Sequence, residues 1–325
     1  MTSFSTTRRA LALGLGAASL GLPLAGRAQA AITRVVVAFP PGGPVDFVAR
    51  TVSEALGKEL GQQVIVENRA GANGAIAAEF VARAAPDAAT LWLTSVGAVA
   101  INPSLYDKLP YDPERDLVPV SLVVNNVEVL VVGANAPYKT AAEFVEAARK
   151  PGAKFSMASS GTGSVPHLAM ELLNDAAKTR LLHVPYKGAA PAITDVIAGH
   201  VDGFFGDIPG LIGHIRAGKL KPVGIAAPQR HPLLPEVKTF DEMGIAGVDS
   251  DNWYALFTSR GTPAAQADRV AAAVRRALAT ESVRARLEAS GAQPSASTPA
   301  ELAALLKKDE AKWGRVVKAK GIKAD

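Results

Sequence analysis

Cysteine is absent from the 325 residues. That removes disulfides, thiolate nucleophiles and cysteine-ligated metals from consideration. Histidine is scarce and scattered, at positions 167, 183, 200, 214 and 231, with no H-E-x-x-H and no neighbouring pair. Neither a histidine metal centre nor any other cofactor is expected from such spacing. The G-x-x-x-x-G-K-[ST] phosphate loop is missing too, and Gly161-Thr162-Gly163 lacks a third glycine because position 166 is Pro. No serine lies in a G-x-S-x-G elbow. Charge of one sign is also in short supply. The formal +5 falls to +2 once residues 1–30 are set aside, because Arg8, Arg9 and Arg27 leave and no acid does. The remaining Lys and Arg are scattered, so nucleic acid, which needs a concentrated basic face, is excluded as a partner.

Residues 1–30 have the three parts of an export signal. Arg8 and Arg9 supply the positive start, residues 10–25 are uncharged and apolar, and Ala28-Gln29-Ala30 offers small residues for cleavage after Ala30. The apolar part falls short of the roughly 20 residues of a membrane-spanning helix. A periplasmic location is expected, and the choice between the general and twin-arginine routes stays open.

The rest of the chain is long enough for two domains with a large core. Apolar runs and helical spacing alternate along it. Strands are expected at 32–39, 64–67, 91–95, 127–132, 155–158, 181–184, 203–205, 221–226 and 253–258. Helical spacing covers 45–60, a segment around Ile76 to Val81, 140–149, 165–177 and 190–198, then almost everything from 264 onward. The alternation predicts βαβ units and a mostly parallel sheet. With no low-complexity tether, the reading is two α/β lobes joined by crossing strands. Residues 31–127 and 253–325 would form one lobe and 128–252 the other.

Several strand-to-helix loops carry chemistry. Phe39-Pro40-Pro41-Gly42-Gly43-Pro44-Val45-Asp46 combines glycines with a helix start, where exposed N–H groups favour an anion. The same residues also read as a simple turn, and Asp46 as a helix cap. Ser159-Ser160-Gly161-Thr162-Gly163-Ser164 can surround a carboxylate with hydroxyl and amide donors, without an arginine. His167, just beyond, reads as a packed or hydrogen-bonding residue in preference to a base for Ser164. In Pro185-Tyr186-Lys187-Gly188-Ala189-Ala190, Tyr186 can stack or donate while Lys187 is a ligand contact or a solvated cap. Asp207 ends an apolar run, and either orders a loop or accepts from a ligand amine or hydroxyl.

Taken in order, these segments resemble the extracytoplasmic receptors of tripartite tricarboxylate transporters, often called the Bug family. The resemblance runs through Phe39-Pro-Pro-Gly-Gly-x-x-Asp46, Asn68-Arg-Ala-Gly-Ala-Asn-Gly74, Ala85-Pro-Asp87, Asn102-Pro-Ser-Leu-Tyr106 and Leu109-Pro-Tyr-Asp-Pro113. It continues through Gly161-Thr-Gly-Ser164 with His167, Val184-Pro-Tyr-Lys-Gly188, Ala190-Pro191, Val201-Asp202 and Gly261-Thr-Pro263. It implies a type II periplasmic binding fold, α/β, with two lobes and a ligand cleft between them. It implies a monomeric, non-enzymatic receptor that captures a small mono- or dicarboxylate and hands it to membrane permease subunits. The same module could instead present its ligand to a membrane sensor, and an exported hydrolase is the remaining alternative. Carried over, Phe39, Pro41, Gly43, Val45 and Asp46 would face Ser159, Ser160, Thr162, Gly163, Ser164 and His167 across a carboxylate. Ser95, Tyr186, Lys187, Gly188, Ala190 and Asp207 would judge the rest of the ligand. Pro44 and Val45 stand where the family is often hydroxylic, and Ala88-Ala89 where Gly-Tyr is usual. The first change points to a less polar pocket, suited to an aliphatic or aromatic carboxylate.

Overall fold

A computed structural model describes residues 32–324; the export signal expected at residues 1–30 lies outside them. Two sheets carry the fold. The first contains β1 (Ile32–Val37), β2 (Gln63–Asn68), β3 (Thr90–Ser95), β4 (Leu117–Asn126), β10 (Asn252–Ser259) and β11 (Gln293–Pro294), in the order β11-β4-β10-β3-β1-β2. The second contains β5 (Glu128–Gly133), β6 (Ser156–Ser159), β7 (Leu182–Pro185), β8 (Gly203–Asp207) and β9 (Leu220–Ile225), in the order β7-β6-β8-β5-β9. Val127 alone separates β4 from β5, so the chain passes from one sheet to the other in a single residue. It returns at Asn252, where β10 begins.

The sheets are mixed, which corrects the mostly parallel expectation. β2-β1-β3 and β7-β6-β8 are parallel, as their intervening helices require. The strands near the crossings, β4, β10, β5 and β9, pair antiparallel. β4 went unread in the sequence because Pro119 interrupts it. A proline cannot donate to a ladder, and the β10 register shifts beside it.

Helices α1 (Pro44–Leu60), α2 (Ala75–Ala82), α3 (Asn102–Leu105), α4 (Pro113–Asp116), α5 (Ala141–Ala148) and α6 (Val165–Ala177) come first. They are followed by α7 (Ala189–Ala198), α8 (Ile208–Arg216), α9 (Ala264–Ala279), α10 (Glu281–Ser290) and α11 (Pro299–Lys320). The C-terminal stretch, expected to be almost wholly helical, is three helices; Thr280 caps α9, and left-handed Gly291 ends α10. α1 follows from its sequence: Pro44 at the first turn, apolar Val45, Val48, Val52, Leu56 and Leu60 on one face, and Gly61 in the left-handed region.

Alternate residues of each strand enter opposite layers. On the first sheet Val37, Leu93 and Leu256 pack under α1, α9 and α10, while Val36, Trp92 and Phe257 pack towards α2 and α11. On the second, Leu130, Val132 and Phe205 face α5 and α6, while Val129, Val131 and Phe204 face α7 and α8. Strands covered on both faces read as continuous apolar runs, which is why they were legible. No described helix is long and apolar enough to cross a membrane.

Candidate functional site

The N-termini of α1, α6, α7 and α8, drawn from both sheets, open onto one cavity. Its wall includes Phe39, Gly43, Pro44 and Val45 from the first loop, Ser160, Ser164 and Val165 from the second, and Ala189 and Ala190 from the third. Asp207, Gly210 and Leu211 of the α8 start, with Ser95, Asn73, Asn252 and Tyr254, complete it. No Lys or Arg is among the lining residues, and the one charged side chain is Asp207. Free N–H groups and aligned peptide dipoles at helix starts supply positive potential without a cationic side chain.

The β1–α1 loop is braced from behind by Asp46. Its buried carboxylate accepts from the Gly42 amide (3.0 Å), Arg50 Nε (2.9 Å) and Asn68 Nδ2 (2.9 Å). Asn68 Nδ2 also donates to the Phe39 carbonyl (3.0 Å). Burial alone would raise the Asp46 pKa, but the bonds from Arg50, Gly42 and Asn68 outweigh it and hold the group below the usual carboxylate range. A depressed value contributes stability above the unfolded-state pKa of 3.8 and loses it as pH falls through the folded value. Asp46→Asn should therefore cost about 1–3 kcal/mol of stability at pH 7. In urea denaturation that difference should shrink below pH 4; an undiminished gap there would contradict the assignment.

In the β6–α6 loop most groups are already bonded. Ser159 Oγ accepts from the Gly161 amide (3.1 Å) and lies 2.6 Å from His183 Nε2. Ser164 Oγ donates to the Gly161 carbonyl (2.7 Å), and the Gly163 amide donates to His167 Nδ1 (3.1 Å). His167 and His183, distant in sequence, stack with ring centroids 3.6 Å apart and planes 5° apart. Burial lowers both, His167 to about 3, with repulsion from His183 as a second cause, and His183 to about 4. Both rings are neutral near pH 7. With Nδ1 accepting from Gly163 and the Ser164 proton turned to Gly161, the pair is not arranged as base and nucleophile. The hydroxyls of Ser160 and Thr162 make no hydrogen bond among the described residues; Ser160 lines the main cavity, while Thr162 lines a neighbouring cavity that Ser160 also borders.

The third loop is fused to the second. The Tyr186 and Gly188 amides donate to the carbonyls of Ser159 (3.0 Å) and Ser160 (3.2 Å), and Tyr186 Oη donates to Asp195 (2.6 Å). Tyr186, exposed Lys187 and Gly188 line the neighbouring cavity, which shares Phe39, Pro40, Asn73 and Ser160 with the first. Of the residues singled out in the sequence, Phe39, Gly43, Val45, Ser95, Ser160, Ser164, Ala190 and Asp207 line the main cavity. Pro41, Asp46, Ser159, Gly163 and His167 stand outside both linings.

The lobes touch across the cleft. Asn73 Nδ2 donates to the Gly163 carbonyl (3.1 Å). Gly163, at φ +75°, packs directly on Leu105, where a Cβ would overlap the leucine side chain. At Gly188, φ +113°, a Cβ would lie 3.2 Å from Pro40 Cγ. Sequence reasoning passed over Asn73, Asn252, Tyr254 and Glu128. The last had a signal: it is the single charge in an otherwise apolar strand.

Two α/β lobes enclosing a cavity ringed by helix N-termini define a solute-binding protein of the periplasmic type. The periplasmic binding protein BugD has the same fold, at TM-score 0.84 and 32% identity over 90% of this chain and 99% of that one. MatC from Rhodopseudomonas palustris, solved with bound malate, matches at TM-score 0.82 and 36% identity over 88% of this chain and 99% of its own. Rpa4515 of R. palustris, solved with adipate, matches at TM-score 0.86 and 29% identity over 90% and 97%. Residues 48–322 match the tripartite tricarboxylate transporter family receptor, and the chain belongs to that family.

Proposed function

We propose that the protein captures a small carboxylate in the periplasm and delivers it, as a monomer, to the membrane subunits of a tripartite tricarboxylate-type transporter. Residues 1–30 act as its export signal, cleaved after Ala30. Residues 31–127 with 253–325, and residues 128–252, move as two lobes about the crossings at Val127 and Asn252. The observation that carries this reading is the set of helix N-termini around a cavity without Lys or Arg, in a family with solved members that hold malate and adipate. Backbone amides and the Ser160 hydroxyl hold the carboxylate, directly or through waters. The apolar wall of Phe39, Val45, Ile193, Phe204 and Leu211 suits an aliphatic or aromatic remainder.

A thermal-shift screen against carboxylates tests it. The melting temperature should rise with ligand concentration as RT ln(1 + [L]/Kd) requires, without turnover of the ligand. Ser160→Ala should weaken binding by about 1–3 kcal/mol, the cost of a lost donor to a charged acceptor. A panel of mono- and dicarboxylates that leaves the melting temperature unmoved would refute the reading.

A further inference from the structure

β5 carries a group that its fold does not use. Glu128 is 0% exposed, and neither carboxylate oxygen has a hydrogen-bond partner. In the β5–β8 register it stands opposite Asp207, so the two carboxyl groups project from the same face. Asp207 borders the cavity and accepts from Asn252 Nδ2 on both oxygens (2.9 and 3.1 Å) and from Tyr254 Oη on one. Those bonds engage the Asn252 amide nitrogen and the Tyr254 hydroxyl. Atoms left without a partner there are Oε1 and Oε2 of Glu128, Oδ1 of Asn252, which is 5% exposed and on the cavity wall, and the amide of Asn126, which stands opposite Asn252 in the β4–β10 register and off that wall.

Buried acceptors of this kind need donors, and buried carboxylates need positive charge. No Lys or Arg lines this cavity. Lys308 and Lys312 line a separate cavity behind the crossing, with Asn126, Asp249, Asp251 and Asp309. Burial, then repulsion from Asp207 and Asp251, pushes the Glu128 pKa well above the usual range, and burial pushes Asp207 up to about 7 against the bonds from Tyr254 and Asn252. Burial is the first cause of both shifts, and no cationic side chain offsets either. The cavity thus brings the N-termini of α1, α6 and α7 together with a carboxyl group, Asp207, that stands at the start of α8.

We propose that Asp207, Glu128 and Asn252 form a subsite for a positively charged nitrogen on the ligand. The preferred solute is then an amino carboxylate, its carboxylate at the loop amides and its ammonium at Asp207. This rests on the carboxylate reading above and narrows it. A second carboxylate at the same position would meet like charge, whereas an ammonium brings both charge and donors.

Calorimetric titration with four- and five-carbon probes tests the proposal: 4-aminobutyrate, 2-aminobutyrate, 4-hydroxybutyrate, succinate and butyrate, with their homologues. An amino carboxylate should bind tighter than the hydroxy acid and diacid of equal length by on the order of tenfold or more, the range of a charge-assisted hydrogen bond. Asp207→Asn should bring that ratio close to one. Glu128→Gln, which removes the ionisable carboxyl behind the cavity wall, should lower it as well and covers the case of a misfolded first variant. A diacid or hydroxy acid binding as tightly as the amino acid, or a ratio unchanged in both variants, overturns the subsite and leaves carboxylate capture standing. Binding of butylamine with no binding of any carboxylate would support the subsite and sink the carboxylate reading. Silence from every probe would overturn both.

Discussion

Alanine at position 163 should lower ligand affinity by roughly one to two orders of magnitude while leaving a folded protein. Gly163 sits at φ +75°, and a Cβ there overlaps Leu105 on the opposite side of the cleft. The left-handed backbone costs a non-glycine residue about 1–2 kcal/mol, and that strain is carried whether the cleft is open or closed. The overlap is different, because it exists when the α6 loop meets α3. Overpacking of this kind costs about 1–3 kcal/mol, and it falls on the closed state, which a ligand must select. Leu105→Ala in the same chain removes the overlap. The double variant should therefore recover most of the affinity lost by Gly163→Ala, though not the lost stability. Calorimetric affinities for the single and double variants decide the matter. If Leu105→Ala fails to restore binding, closure does not depend on this contact.

The second large effect has the opposite sign to most core substitutions. Glu128→Leu should stabilise the ligand-free protein at pH 8 by about 1–4 kcal/mol, the range seen when buried ionic groups give way to apolar ones. The strand residues that follow it, Val129 and Leu130, are those of an apolar core strand. The folded-state pKa of Glu128 is raised by burial first and then by Asp207 and Asp251. A raised value means that the folded form prefers the bound proton. The contribution is intact below the unfolded-state value of 4.5 and is lost as pH climbs towards the folded one. The advantage of leucine should accordingly be small at pH 4 and grow towards pH 8. Comparing variant with wild type at each pH cancels the trend from His167 and His183, whose lowered values make the fold lose stability as pH drops below 6.5. Chemical denaturation at pH 4, 6 and 8 provides the measurement. A loss of stability at pH 8 would mean that Glu128 has a favourable partner in the resting protein.

Much of the scaffold was legible because its strands are covered on both faces. The run at 203–205 and the helix at 165–177 follow from hydrophobic pattern and turn residues, and β8 and α6 lie where that pattern puts them. β4 escaped because Pro119 and a bulge break its pattern, and α8 because its helical spacing starts on the capping residue Asp207. Loops flanked by a strand and a helix were recognisable as candidate anion-binding loops through glycines and hydroxyls alone. Which of those groups remain free was not. Ser159, Ser164 and Gly163 satisfy the loop itself, and of its hydroxyls those of Ser160 and Thr162 keep no protein partner among the described residues.

The sequence by itself determined the α/β class, the crossing strand β10 and the family, since each depends on local periodicity or on ordered short motifs. Tertiary structure alone decided the acidic end of the cavity. Glu128, Asp207, Asn252 and Tyr254 come from three strands of two sheets, and their meeting depends on strand register across the crossing. The same holds for the stacked histidines, 16 positions apart in the chain. Local propensity fixes which residues form a strand; only packing fixes which side chains must share a buried space, and hence which charges are left without a partner.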